Sequence, residues 1–172
     1  ALSGEDMRAG DRHARGSITL GGQAIAQRNA QQRRDLGLHF VPEERLGRGA
    51  VPGLSLAQNL LLTRHDAVAK TGIAGILGWL QLTTLQSQAA AIIAKYQVKA
   101  AGPDALASSL SGGNLQKFLV GREIEAMPQL LIVSQPTWGV DVGAAAQIRS
   151  EILALRDAGC AVLVVSEELE EL

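Results

Sequence analysis

Two short, wholly apolar runs, Leu130-Leu131-Ile132-Val133 and Ala161 to Val165, flank a stretch with helical periodicity, and this arrangement constrains the fold more than any other feature of the chain. A run with no polar alternation reads as a strand buried on both faces, the condition of a strand inside a parallel sheet. Between the two runs, Val142 to Ala158 carries Ile148, Ile152 and Leu155 on one helical face. Asp141 is placed to cap the start of that helix and Gly159 to end it. Strand, helix, strand in this order implies a right-handed crossover with parallel pairing, so an α/β fold is expected.

The rest of the chain is long enough to complete one domain. With 172 residues, 47% hydrophobic and 19% charged, the composition is that of a globular protein and not a disordered one. A formal net charge of −1 argues against nucleic acid as a partner. The single cysteine, Cys160, excludes an internal disulfide framework, fits a reducing compartment and reads as a small buried residue. No apolar run approaches the roughly 20 residues that cross a bilayer; the longest weakly polar stretch, Thr71 to Leu82, is broken by three glycines. Ala1-Leu2-Ser3-Gly4 reads as the end of a helix with no signal-peptide pattern before it, so the chain is expected to be a fragment of something longer.

From Gly10 to Ile25, the run Ser17-Ile18-Thr19-Leu20 and the pair Gly21-Gly22 predict an edge hairpin with the glycines at its turn. Gln27 to Arg34 reads as a solvated helix face carrying Arg28, Arg33 and Arg34. Gly37-Leu38-His39-Phe40-Val41 is a buried strand that stops at Pro42, followed by Glu43-Glu44-Arg45 and a glycine-rich loop. Ser55 and Gln58 form a capping box for a short helix through Thr63. A glycine-interrupted segment containing Trp79 follows, and then Thr83 to Val98 has Leu85, Ala89, Ile92, Ile93 and Tyr96 at helical spacing, which core packing explains without a ligand. If exposed, Ile73, Ile76, Leu77 and Trp79 would make a docking patch.

Gly102-Pro103 breaks the helix before Leu110-Ser111-Gly112-Gly113-Asn114-Leu115-Gln116-Lys117. Two glycines behind a serine, opening an amphipathic helix, make a surface suited to a phosphate. The free N–H groups of the first turn point outward, the helix dipole favours negative charge, and glycine lets the backbone approach closely. Ser111 would serve equally as a plain helix cap. The helix, Asn114 to Met127, is expected to bury Leu115, Phe118, Leu119 and Ile124 and to end at Pro128; Gly121 within it should cost about 1 kcal/mol relative to alanine and has no evident function.

This run resembles the signature motif of ATP-binding cassette (ABC) ATPases, in the form found in importers for simple sugars and nucleosides. The resemblance extends from Gly10 to Leu172 and is strongest from Leu110 to Asp141. It implies a partial P-loop NTPase (ABC ATPase) fold, with a parallel core sheet, an antiparallel edge hairpin and a helical subdomain. Residues 1–54 would hold the hairpin and the strand leading to the Q-loop, 55–109 the helical subdomain, and 110–172 the signature helix, the Walker B-like strand, the D-loop and the switch strand.

In ABC ATPases the strand before the Q-loop ends in a glutamine that senses the metal and the attacking water, and the matching residue here is Glu43. The Val-Pro-Glu-x-Arg form is similar to that of the second cassette of sugar-type importers; taken alone, it reads as readily as a charged surface turn. The family's Asp-Glu pair, one residue for Mg²⁺ and one for the attacking water, is matched by Ser134 and Gln135. A hydroxyl is a poor magnesium ligand beside a carboxylate, and an amide cannot act as a general base. Glu167 stands where the switch histidine would be. No Gly-x-x-x-x-Gly-Lys-Ser/Thr occurs in the 172 residues, so ATP and Mg²⁺ would be held mainly by residues outside the chain.

The resemblance therefore implies the second, C-terminal cassette of an importer ATPase for a nucleoside or simple sugar, peripheral at the cytoplasmic face of the inner membrane. Its partners would be another cassette, membrane permease subunits and a substrate-binding protein. Leu110, Ser111, Gly112, Gly113, Asn114 and Gln116, with Glu43, Ser134 and Asp141, would be its nucleotide-binding residues, and Gln135 and Glu167 would occupy degenerate catalytic positions. The alternative is a non-catalytic regulatory half that stabilises cassette pairing.

Overall fold

The computed structural model describes residues 18–69 and 77–168, with the side chains of 64–69 and 77–81 left aside. Three strands, β3 (Leu38–Val41), β4 (Leu130–Ser134) and β5 (Ala161–Val165), form a parallel sheet in the order β3-β4-β5. Phe40 pairs with Ile132 and Ile132 with Leu163, so the three strands run in step. A separate antiparallel hairpin joins β1 (Thr19–Leu20) to β2 (Gln23–Ala24). Gly21 and Gly22 turn it at φ of 54° and 78°, values that glycine reaches without a Cβ clash.

Five helices complete the described residues: α1 (Ala30–Arg34), α2 (Leu56–Ala69), α3 (Leu77–Lys95), α4 (Gly112–Ile124) and α5 (Val142–Asp157). The caps follow the sequence. Ser55 N–H donates to Gln58 Oε1 (2.9 Å) and Gln58 N–H to Ser55 Oγ (3.1 Å), completing the capping box of α2. Asp141 accepts from Ala144 N–H at 2.9 Å, and Gly159 leaves α5 at φ of 99°. One large core gathers Leu131 and Val133 of β4, Leu115, Phe118 and Leu119 of α4, Ile148 and Ile152 of α5, and Leu85, Ile92 and Tyr96 from α3 and its end. A smaller cluster, Ile25, Leu38 and Ile132, occupies the other face of the sheet.

Several expectations require correction. The short helix begun at Ser55 continues to Ala69, past Thr63. Helix α3 starts at Leu77 and takes in Trp79, and it ends at Lys95 before Val98; α4 spans Gly112–Ile124, with Glu125 as its cap, and so stops short of Met127. Strand β5 is not buried on both faces, since Leu163 is 40% and Val165 52% exposed. It pairs only with β4 among the described residues, and only Val162 and Val164 pack against the large core. The predicted helix end at Ala1–Gly4, the stretch Gly10 to Ser17, and the side chains of the Ile73, Ile76, Leu77, Trp79 patch lie outside the described residues.

The largest correction concerns the arginines assigned to a solvated face. Arg33 is 2% exposed and its guanidinium donates to the carbonyls of Arg28 (2.8 Å) and Ala26 (3.2 Å). Arg34 reaches Glu123 Oε2 at 2.9 Å, where His39 Nδ1 also lies at 2.7 Å, while Arg122 Nε donates to Glu123 Oε1 at 2.8 Å. Burial alone would raise the Glu123 pKa. Arg122, the hydrogen bond with His39 and Arg34 together outweigh it and hold the carboxyl below its ordinary range. A carboxylate with no exposure is tolerated in this way only when its lone pairs are met by charged donors.

Gly121 has a packing explanation. A Cβ there would stand 2.6 Å from the Tyr96 ring, so the helix gives up propensity to let that ring pack against its backbone. Beside it, Lys95 bridges Glu125 and Glu151 at 2.8 Å each, and the Tyr96 hydroxyl donates to Glu125 at 3.1 Å. The end of α3 is thus fastened to both α4 and α5.

Candidate nucleotide-contacting site

Helix α4 begins at an exposed corner. Ser111 is its N-cap, in extended backbone at φ −63°, ψ 155°. Its hydroxyl oxygen accepts from the Asn114 backbone N–H (3.4 Å) and from Asn114 Nδ2 (2.8 Å). With both lone pairs so engaged, the hydroxyl proton is left to point away from the helix, as a donor. The Gly112 and Gly113 N–H groups, ahead of the capped Asn114, have no acceptor within the helix. Asn114 is held in turn, because its Oδ1 accepts the Lys99 backbone N–H at 2.8 Å. Ser111 can therefore act as a donor as well as a cap.

The two glycines allow close approach from the other side. A Cβ on Gly113 would stand 2.5 Å from the Gly139 carbonyl oxygen, and one on Gly112 would stand 2.8 Å from the Arg45 guanidinium. The corner opens onto a cavity of about 390 Å³ lined by Ser111, Gly112, Gly113 and Asn114 together with Gly139 and Asp141. Three cations, Arg45, Lys99 and Lys117, also line it. Lys117 is paired with Asp141 at 2.9 Å, and that hydrogen bond, with the one from Ala144 N–H, lowers the Asp141 pKa. Among the described residues no carboxylate lies within ion-pair distance of Arg45 or Lys99, and burial lowers the Arg45 pKa. Positive charge, free N–H donors and an oriented hydroxyl converge on one opening, which suits an anion.

The structure sets two predicted residues back from this opening. Gln116 is 1% exposed; its Nε2 donates to the carbonyls of Gln135 (3.0 Å) and Pro136 (3.1 Å), and its Oε1 accepts from Arg45 at 3.1 Å. It braces the corner and does not line the cavity. Leu110 packs against the large core behind Ser111.

The remaining predicted residues gather at the C-terminal ends of the strands. Glu43, beyond β3, and Ser134, at the end of β4, line a second cavity of about 430 Å³ with Trp138. Gln135 and Glu167 meet separately: Gln135 Oε1 lies 3.3 Å from Ser166 Oγ and 3.4 Å from the Glu167 N–H, both of which donate to it. Gln135 takes φ of 49°, a left-handed value that a non-glycine residue adopts at a cost of about 1 kcal/mol or more. Among the described residues no group of three or more His, Cys, Asp and Glu could hold a metal ion. Ser134 and Glu43 alone are a thin donor set for Mg²⁺, which prefers several hard oxygens, so the residues present do not make a complete magnesium site.

Sequence reading missed Arg45, Lys99 and Lys117. Arg45 stood in view in the Val-Pro-Glu-x-Arg run and Lys117 in the signature itself. Lys99 carries no local signal, because only the fold brings it to Asn114.

Comparison with solved structures identifies the fold. The ATP-binding cassette MJ0796, in a dimeric post-hydrolysis state bound to ADP and phosphate, superposes with a TM-score of 0.67 at 15% identity, over 88% of this chain and 62% of that one. An ATP-binding subunit of an ABC transporter superposes at 0.66 with 19% identity, over 91% of this chain and 58% of that one. The fold is that of an ABC ATPase cassette, in part. In sequence, the chain is 38% identical to the nucleoside import ATP-binding protein NupA of Lactococcus lactis over 157 residues, 91% of this chain and 30% of that protein. It is 36% identical to the guanosine import ATP-binding protein NupO of Bacillus subtilis over the same shares. It is 35% identical to the ribose import ATP-binding protein RbsA of Chelativorans, over 94% of this chain and 31% of that one. The chain thus spans under a third of the length of these curated relatives. No family model matches it. Among the described residues no helix of the cassette is long and apolar enough to cross a membrane.

Proposed function

We propose that this chain is part of the second, C-terminal cassette of an importer ATPase, peripheral at the cytoplasmic face of the inner membrane. That protein couples ATP binding and hydrolysis to uptake of a nucleoside or simple sugar, and its partners are another cassette, permease subunits and a substrate-binding protein. The likeness to import ATP-binding proteins for nucleosides, guanosine and ribose supports this reading. Within it, Ser111, Gly112 and Gly113 contact the γ-phosphate of ATP held by the partner cassette.

The observation that carries the proposal is the Ser111 hydroxyl, whose oxygen accepts twice from Asn114, leaving it to act as a donor, and which lines an open cavity together with Gly112 and Gly113. Donors already aimed at the place where charge develops need no rearrangement during phosphoryl transfer. The ATP and its Mg²⁺ would be held mainly by residues outside this chain. This chain's residues orient the phosphate from one side. On its own side, Ser134 and Gln135 in place of a carboxylate pair make a slow or silent site.

The test is Ser111→Arg in the full-length protein assembled with its partner. An arginine side chain at the N-cap fills the opening, and ATP turnover is expected to fall by about 100-fold or more. Unchanged turnover overturns the reading and favours a regulatory half that stabilises pairing. The tie between Gln135 and Glu167 supports that second reading, since it engages the amide carbonyl that would otherwise face an attacking water.

A further inference from the structure

Arg45 lies two residues beyond Glu43, yet its side chain ends at the signature corner. Nε donates to Gln116 Oε1 at 3.1 Å, across 71 residues of sequence. A terminal nitrogen donates to the Trp138 carbonyl, across 93 residues. The guanidinium lies 5.3 Å from the centroid of the Trp138 ring, and it fills the space next to Gly112 that a side chain there would need. One planar group thereby holds the end of β3, the first turn of α4 and the loop before α5 together. Arg45 lines the cavity at Ser111, and Trp138 lines the cavity at Glu43 and Ser134. Their contact thus joins a lining residue of one cavity to a lining residue of the other.

We propose that Arg45 is a positioning residue that couples these two cavities. It keeps the 138–140 loop pressed on Gly113, and so keeps the Ser111 donors aimed, only while the β3 end stands where Glu43 and Ser134 require it. The proposal rests on the reading that the Ser111 corner meets a nucleotide phosphate. A lysine cannot replace this group, because it lacks the planar fork that serves two acceptors and stacks on a ring at once.

The experiment measures ATP turnover of the full-length protein with its partner, as kcat and KM, for Arg45→Ala, Arg45→Lys and Ser111→Arg. Arg45→Ala also removes a positive charge from the cavity and is expected to raise KM, so the coupling is read in Arg45→Lys, which keeps the charge: misplacing the corner should lower its kcat by about 10- to 100-fold and leave its KM within about two-fold. Arg45→Lys, which keeps the aliphatic stem and the charge, should share the loss with an unshifted melting temperature. Added guanidinium ion should restore turnover to Arg45→Ala and not to wild type. If Arg45→Ala fails to fold, Arg45→Lys decides: lost turnover supports the proposal and wild-type turnover overturns it. Loss in Ser111→Arg with both Arg45 variants active overturns the coupling and leaves the phosphate reading standing, whereas full activity in Ser111→Arg removes the reading itself.

Discussion

The corner at Ser111 and the corner at Gln135 are linked through Gln116, which accepts from Arg45 and donates to the Gln135 carbonyl, and they differ in what their chemistry is made of. At Ser111 the donors are backbone N–H groups and one hydroxyl, fixed by a helix start and two glycines. At Gln135 the task that the family resemblance assigns belongs to side-chain carboxylates, and here an amide, a serine and a glutamate N–H satisfy one another instead. A site made of backbone persists as long as the fold does. A site made of side-chain identity is lost by single substitutions that leave the fold intact.

That contrast can be broken in four ways. It assumes first that α4 is held rigidly at its far end, where Glu123 is fully buried among Arg34, His39 and Arg122. Glu123→Ala leaves Arg34 and Arg122 without their anion and should cost about 3–5 kcal/mol in chemical denaturation. The same carboxyl sets an acid limit: its folded pKa lies below its ordinary value of 4.5, so its contribution is complete above that pH and lost as the pH falls toward about 2. A denaturation midpoint that does not move between pH 6 and about 3 would contradict the assigned pairing.

Second, Gly113→Ala places a methyl group 2.5 Å from the Gly139 oxygen and should destabilise by about 1–3 kcal/mol, with loss of turnover, because backbone and not a flexible side chain must yield. Thermal melting beside an ATPase assay would expose an innocuous substitution and with it a looser corner than described. Third, Asn114→Ala removes the group that orients the Ser111 hydroxyl and should reduce turnover about ten-fold, roughly one good hydrogen bond. Wild-type turnover there would mean that the hydroxyl needs no orienting. The smallest effect is expected of Gln135→Glu. With Ser134 unchanged, a restored carboxylate should raise turnover less than about two-fold; a large gain would show that the second corner needed only its base.

The parts legible in the sequence were those fixed by neighbours in the chain. Asp141, Gly159 and the Ser55–Gln58 box act within a few residues, β4 announces itself by an unbroken apolar run, and β3 by a short apolar segment stopped at Pro42. What escaped depends on partners far along the chain. Arg33 and Arg34 look like surface residues because Glu123, which holds Arg34, is 89 positions away, and Arg33 folds back on carbonyls whose direction no residue type announces. The apolar run of β5 was overread: hydrophobicity reports what a strand can bury, and Leu163 and Val165 remain partly exposed in this structure. Arg45 was passed over since its short-range setting is a charged turn, and its role appears only when Trp138 is brought beside it.

The near-touching main chains at Gly113 and Gly139 leave no room for an adjustable spacer. A grip of that kind has no screw to turn: exchanging one residue for a slightly larger or smaller one jams it or does nothing. Its closeness can be modulated only by sliding the whole 138–140 segment, so any control over the shape of this corner has to arrive as movement from elsewhere in the molecule.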